Sequence, residues 1–388
     1  MKIIQTDKLV IKSWCNNPEQ GAIDQAINLA KLPFAFKHIA LMPDTHQGYG
    51  MPIGGVLACE NAIVPEAVGV DIGCGIHATK MNILIKDLTK DQIKSIMGII
   101  RENVPVGFNH HKEPKKDLME KYELTKNISN LFIVNKEFQK ASHQLGTLGN
   151  GNHFIELQKD SDGYVWFMLH SGSRNLGKKV ADFYSKKALE LNKLWYSVVD
   201  EKWELSFLPK GHYDDYLNEM NYCLNFAYSN RQVMAEEIKK AFDKILGVKS
   251  IQEINIHHNY ASLENHYGRN VWIHRKGATS AREGELGIIP GSQGTSSYIV
   301  KGKGNLESFT SCSHGAGRRM SRNEARKTLN LEEEIKKMND KNIVHGIRSV
   351  DDLDESAGSY KDIDIVMEEQ KDLVDIVVKL EPLGVIKG

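Results

Sequence analysis

No run in this 388-residue chain is long and apolar enough to span a bilayer; the apolar stretches, such as Val165–Leu169, end after a few residues. The opening residues Met1–Asp7 lack the apolar core of a secretory leader. Cysteine is scarce, with five scattered along the chain, and an odd number argues against a disulfide framework and for a reducing compartment. The expected location is therefore cytoplasmic. Neither sign of charge predominates, since 50 basic residues balance 50 acidic ones. That balance removes a global basic footprint but leaves room for local basic clusters at His110–Lys116, at Arg174 with Lys178 and Lys179, and at Arg318–Lys327. Each cluster, taken alone, reads as a solvated face rather than a phosphate track. No repeat, low-complexity tract or Gly/Ser/Pro linker divides the chain.

What the chain does have is glycine, concentrated in residues 48–77, 146–177 and 277–317 and at the C-terminus, together with most of the notable histidines. These stretches read as short strands and tight loops. Val165–His170 is nearly all apolar, as a strand buried on both faces requires. Ile254–His258 alternates, placing Ile254, Ile256 and His258 on one face and Asn255 and His257 on the other. Val271–Arg275 is a further strand. Between the glycine-rich stretches, helical spacing appears over Asp87–Arg101, Leu118–Ser142, Val180–Leu194, Tyr213–Leu246 and Ser321–Met338. The expected fold class is α+β, one large domain over 1–388. A strand-rich core carries the chemistry, with helical insertions at about 84–145 and 178–250.

Asp71-Ile72-Gly73-Cys74-Gly75 sets a carboxylate and a thiol three residues apart in a glycine-rich loop, where a metal could deprotonate the thiol. A buried structural cysteine beside a turn aspartate fits equally well. His153, His170 and His258 each sit where an apolar segment meets small or polar residues. Singly, each reads as a hydrogen-bonded core or turn histidine. Together with Asp71 and Cys74 they make five candidate ligands from four segments, of types that suit first-row metals. None follows zinc-finger spacing. Five ligands suffice for two metals that share one and keep open positions. Asp44 and His46 form another polar turn, a candidate support for that centre.

In Cys312-Ser313-His314-Gly315-Ala316-Gly317-Arg318, small residues let a polyanion approach the backbone. His314 is a candidate nucleophile toward phosphorus, and Arg318 a fork for phosphate oxygens. Taken alone, the heptapeptide reads first as a surface histidine in a glycine turn before a basic helix. Ile289–Ser297 offers amides and hydroxyls suited to a phosphate nest, without the spacing of a Walker loop. Tyr360 supplies a ring for stacking on a base, and Glu156 an acceptor for a guanine edge. Lys387, next to the last residue, would by default lie in a disordered tail.

In order along the chain, these segments closely resemble the RtcB family of RNA ligases, which are GTP- and manganese-dependent 3′-phosphate ligases. The resemblance runs from Phe36–Ala40 and Pro43–Gly50 through Gly69–Gly75 and the Gly-Asn-His and His-Ser-Gly-Ser-Arg segments. It continues through Arg275–Ala278, the Pro290-Gly291-Ser292 loop, Ser313–Arg318 and Tyr360–Asp364 to Lys387-Gly388. It implies an RtcB-like ligase domain in which Asp71, Cys74, His153, His170 and His258 bind two Mn²⁺, with Cys74 bridging. His314 would take GMP, and Asn152, Glu156, Ser292, Arg318, Tyr360 and Lys387 would hold the guanylate. The implied reaction opens an RNA 2′,3′-cyclic phosphate to a 3′-phosphate, activates it with GMP and joins it to a 5′-hydroxyl, in tRNA splicing or RNA repair. A dinuclear metal phosphohydrolase without a covalent nucleotide, and a non-catalytic RNA-binding protein, are the rival readings.

Overall fold

The computed structural model describes residues 1–197 and 199–388. Most strands fall into two sheets. The first has six strands, in the order β1 (Lys2–Ile4), β2 (Val10–Ser13), β3 (Ala35–His46), β4 (Ile53–Cys59), β12 (Arg269–Lys276) and β11 (Asn259–His266). The second has seven, in the order β10 (Ser250–His257), β6 (Gly75–Leu84), β8 (Tyr164–Ser171), β7 (Phe154–Asp160), β17 (Val374–Lys387), β15 (Ser297–Gly302) and β14 (Leu286–Ile289). Two short pairs complete the set: β5 (Ala62–Ile63) with β9 (Leu208–Pro209), and β13 (Ala278–Ser280) with β16 (Ser311–Ser313). The α+β class expected from the sequence is what forms.

The seven-stranded sheet is antiparallel throughout, and that puts several loops at one end of it. Gly75 opens β6 and pairs with Ser171 at the end of β8; Phe154 opens β7 and pairs with His170. His257 ends β10 opposite Gly75. Lys387 ends β17 opposite Phe154. The chain's last strand is thus built into the sheet, and Lys387 is an ordered residue rather than part of a free tail. Residue 258 alone separates β10 from β11, where the chain passes from the second sheet to the first.

Nine helices surround the sheets among the described residues: α1 (Gln20–Ala30), α2 (Lys90–Asn103), α3 (Lys116–Lys121), α4 (Phe132–Gln144), α5 (Arg174–Leu194), α6 (Asp214–Leu246), α7 (Arg322–Thr328), α8 (Leu331–Asp340) and α9 (Ile363–Glu369). The helix expected from Asp87 begins at Lys90, because Thr89 and Gln92 form a reciprocal cap there. The helix expected over Leu118–Ser142 is interrupted, with left-handed backbone at Glu123 (φ 59°) and Asn127 (φ 57°). The one expected over Ser321–Met338 restarts at Asn330, whose side chain accepts from the amides of Glu332 and Glu333.

The helices are locked to one another by buried polar groups as well as apolar contacts. Helix α4 lacks a capping side chain of its own; buried Glu219 of α6 accepts from Ile133 N (2.9 Å) and Val134 N (2.8 Å) and from the Tyr184 hydroxyl of α5 (2.9 Å). A carboxylate at a helix N-terminus is favoured by the helix dipole, which offsets the cost of burying it. One apolar cluster joins α4, α5 and α6 through Val134, Val180, Tyr184, Tyr216 and Phe226. A second packs α2 and α6 on the β7–β8 region through Ile96, Ile100, Leu157, Phe167 and Phe242.

Candidate active site

Four ends of the seven-stranded sheet bring the sulfur, the imidazoles and a carboxylate together. Cys74 Sγ lies 3.1 Å from His170 Nε2 and 3.6 Å from His153 Nε2. His153 Nε2 is 3.1 Å from Asp71 Oδ2, and His170 Nε2 is 3.3 Å from His258 Nε2. Cys74, His153 and His170 satisfy the geometry of a metal-binding group by themselves, and Asp71 and His258 extend it at either end. Asp71 fits because residue 172 is glycine: a Cβ there would fall 2.2 Å from Asp71 Oδ1.

The surroundings hold the imidazoles in one orientation. His153 Nδ1 donates to Leu148 O (2.9 Å) and His170 Nδ1 to Asn152 O (3.1 Å). Those bonds assign the proton to Nδ1 and leave an Nε2 lone pair facing inward on each ring. The inward-facing atoms are therefore electron-rich groups set against one another, an arrangement that a cation relieves. Burial, with positive neighbours adding to it, holds His170 and His258 well below the usual imidazole range, so both rings are neutral at neutral pH. Burial and the Asp71 charge push the Cys74 thiol well up. Only a metal would draw its proton at neutral pH. The donor set fits a first-row metal.

Beneath the cluster lies Arg231 of α6, fully buried. Its guanidinium donates to Gly73 O and Ser171 O (2.9 Å each) and to Asn255 Oδ1 (2.7 Å), and it lies 3.0 Å from His257 Nδ1. These contacts tie the Cys74 loop, the His170 strand and the strand before His258 into one unit. Asn255 and His257 face this arginine, on the opposite side of β10 from His258, as the alternation required. Arg231 itself had no signal in the sequence beyond one cation in a long helix.

His314 follows β16 and meets the cluster edge to face, its ring centroid 4.8 Å from that of His258. Asp44, at the end of β3 and fully buried, holds it. A single oxygen, Oδ2, accepts from His314 Nδ1 (2.7 Å), His314 N (3.0 Å) and Gly315 N (3.3 Å). Burial raises the Asp44 carboxyl, but the His314 hydrogen bond and nearby positive charge outweigh it, so Asp44 stays ionised. Lys361 fixes the carbonyls on both sides of Asp44, at Pro43 (3.1 Å) and Thr45 (2.6 Å). The approach is close enough to need glycine at 317, where φ is +73° and a Cβ would sit 2.2 Å from Asp44 O. His46 donates from Nδ1 to the Asp44 carbonyl, 2.9 Å away.

A pocket adjoins His314 and His170, and Asn152, Glu156, Ser292, Arg318, Tyr360 and Lys387 all line it. Burial raises the Glu156 carboxyl to about 8, against the pull of the Gln158 amide 2.5 Å away. Arg318 is not free to fork outward. Its guanidinium binds Glu355 Oε1 (3.1 Å), Asp354 O (2.6 Å) and Met320 O (3.1 Å), and lies 5.2 Å from the Tyr360 ring centre. Glu355 is the organiser that sequence reasoning missed. Buried in the pocket wall, it also takes Arg322 Nε (2.8 Å) and the Tyr360 hydroxyl, with Lys387 Nζ 3.9 Å away. Within Asp351–Glu355 it looks like one more member of a solvated acidic run.

A conserved-family model described as tRNA-splicing ligase RtcB matches residues 25–388. The chain belongs to the RtcB family. It is 38% identical to the RNA-splicing ligase RtcB of Escherichia coli strain K12 over 410 residues, spanning 100% of this chain and 99% of that one. The tRNA-splicing ligase RtcB of Nanoarchaeum equitans is 33% identical, with 100% and 95% covered. The RNA-splicing ligase RtcB homolog 2 of Entamoeba dispar is 32% identical, with 96% and 85% covered. An RtcB-type RNA ligase therefore has, in this chain, a Cys/His cluster suited to metal and beside it a histidine held by a buried aspartate. No helix among the described residues is long and apolar enough to cross a membrane.

Proposed function

We propose that this RtcB ligase uses GTP and two Mn²⁺ to join RNA 3′-phosphate or 2′,3′-cyclic phosphate ends to 5′-hydroxyl ends, in tRNA splicing or RNA repair. The observation that carries the reading is the Asp44–His314 pair, set between the candidate metal cluster and the pocket lined by Asn152, Glu156, Ser292 and Tyr360. Asp71, Cys74, His153, His170 and His258 would hold the metal ions. When bound, the ions offset phosphate charge and aid in-line displacement.

The chain's own residues account for the rest. Asp44 keeps the His314 proton on Nδ1, which leaves the Nε2 lone pair free to attack the α-phosphorus of GTP. A P–N bond forms, the bond to pyrophosphate breaks, and Asp44 offsets the positive charge that develops on the ring. Asn152, Ser292 and the Gly315–Gly317 backbone hold the phosphate and ribose end. Tyr360, Lys387 and Glu156 hold the base, with Glu355 fixing Tyr360, Arg318 and Lys387 in place. The RNA 3′-phosphate then displaces His314 and takes GMP, and the 5′-hydroxyl oxygen displaces GMP to close the phosphodiester.

The test is ligation of two synthetic RNA strands that differ only at their ends. Joining of 3′-phosphate to 5′-hydroxyl with GTP and Mn²⁺, but not of 3′-hydroxyl to 5′-phosphate, supports the reading; the reverse preference contradicts it. A Cys/His/Asp donor set binds Zn²⁺ and Cu²⁺ more tightly than Mn²⁺. Low concentrations of Zn²⁺ or Cu²⁺ are expected to block ligation in excess Mn²⁺. Full activity retained in their presence would count against the assigned ligands.

A further inference from the structure

The nucleotide pocket touches the metal cluster on its His170 and His314 side. The opposite side opens at Asp71, whose side chain is 30% exposed against 6% for its neighbour His153. That opening lets an RNA end reach the cluster while guanylate fills the pocket. The elements around it are fastened to the ligands themselves. Arg174, the first residue of α5, lies over the turn before His153: a Cβ on Gly149 would fall 2.1 Å from its Nη1, and that atom is 3.3 Å from His153 Nδ1.

The loop after α2 is tied to the same turn. Gly107 N donates to Gly149 O (2.7 Å), His111 N to His143 O (3.1 Å) and Lys115 N to Ser142 O (2.9 Å). Its backbone is held, yet its tip is bare: Phe108 is 87% exposed, and His110 beside it is exposed as well. A large apolar ring held out in water on an anchored loop has no structural use on this face of the fold. Partial shielding from water and the charges of Arg174 and Lys140 lower the His110 pKa, so its ring is neutral and offers a flat face rather than a charge.

The charge around this tip suits a polyanion. Lys136 and Lys140 stand one turn apart on the exposed side of α4, and Lys112 is exposed on the loop. None of the three has a carboxylate within 4.0 Å among the described residues. Helix α4 is joined to the start of α5 by Asn175 Nδ2 donating to Glu137 Oε2 (3.4 Å), so the lysines lie beside the turn that carries Arg174. Glu113 is the exposed carboxylate on the loop itself. An aromatic tip with neighbouring cations is how single-stranded nucleic acid is held without sequence readout: the ring takes a base and the cations track phosphates.

We propose that Phe108 is a stacking platform for an unpaired base of the RNA strand entering at the Asp71 side, with Lys112, Lys136 and Lys140 tracking its phosphates. The platform acts on strand capture, apart from the nucleotide chemistry at His314. It rests on the RNA-ligase reading, and the experiment separates the two.

The full chain is titrated with two fluorescein-labelled single-stranded RNAs of about ten nucleotides, one ending in a 3′-phosphate and one beginning with a 5′-hydroxyl. Phe108→Ala is expected to weaken binding of one strand roughly tenfold and to raise its KM in ligation by a similar factor. The kcat and the GMP adduct on the protein stay as in wild type. Phe108→Trp retains binding, and Lys140→Ala lowers the salt dependence of log K by about 0.7. Wild-type binding of both strands by Phe108→Ala overturns the platform, as does Phe108→Leu matching wild type, which would show an apolar contact rather than stacking. A wild-type protein that forms no GMP adduct fails the ligase chemistry instead, whatever Phe108 does.

Discussion

His314→Ala is expected to abolish the GMP adduct and to lower ligation at least about 10³-fold, with the metal content of the protein unchanged. Cys74→Ala is expected to abolish ligation too, but with metal lost. The two residues lie in one small site, so the contrast is informative. His314 approaches the cluster through His258, and no His314 contact is needed to hold His153, His170 or the Cys74 loop, which are fixed by Leu148 O, Asn152 O and Arg231 in turn. Cys74 Sγ, by contrast, touches two imidazoles directly. Elemental analysis alongside intact mass makes the comparison. A metal-free His314→Ala protein would contradict this division of labour, as would a Cys74→Ala protein with full metal content.

Asp44→Asn is expected to slow adduct formation about 10²- to 10⁴-fold while leaving metal content and fold in place. The carboxylate gives one oxygen to three N–H groups, two of them backbone amides at the His314 turn. An asparagine oxygen still accepts these, so the turn survives. What goes is the negative charge beside an imidazole that becomes cationic when it takes the phosphoryl group, together with the firm choice of Nδ1 as the protonated nitrogen. The check is the single-turnover rate of adduct formation at saturating GTP. A rate within a few-fold of wild type would mean that Asp44 only supports the turn, and that another group sets the His314 tautomer.

The candidate metal cluster was legible because the residue types and their places at segment ends imply one convergence point, and the antiparallel sheet supplies it. The alternation at Ile254–His258 separates the inward His258 from His257, since a period of two permits only that assignment. Lys387 resisted local reading: a lysine next to the chain end has no local cue for order, and only the long-range pairing of β17 with β7 puts it at Phe154. Glu355 and Arg231 were missed for a related reason. Each is an ordinary charge in a charged stretch, and its role is set by partners far along the chain: Arg318 and Lys387 for one, Gly73 and Asn255 for the other. Arg318 was read from its neighbours as a fork for phosphate, and the distant Glu355 turned it inward. The helix breaks at Glu123, Asn127 and Asn330 were hidden because helical spacing of apolar residues continues across them, while left-handed backbone and a side-chain cap decide the boundary.

The proposed ligase chemistry requires His314 to carry GMP covalently. The direct measurement is the intact mass of the protein after incubation with GTP and Mn²⁺ at neutral pH, kept free of acid so that a P–N bond survives. The account predicts a mass gain of one GMP that is absent with ATP, with EDTA and in His314→Ala. No gain in a protein shown to hold its metal would contradict it.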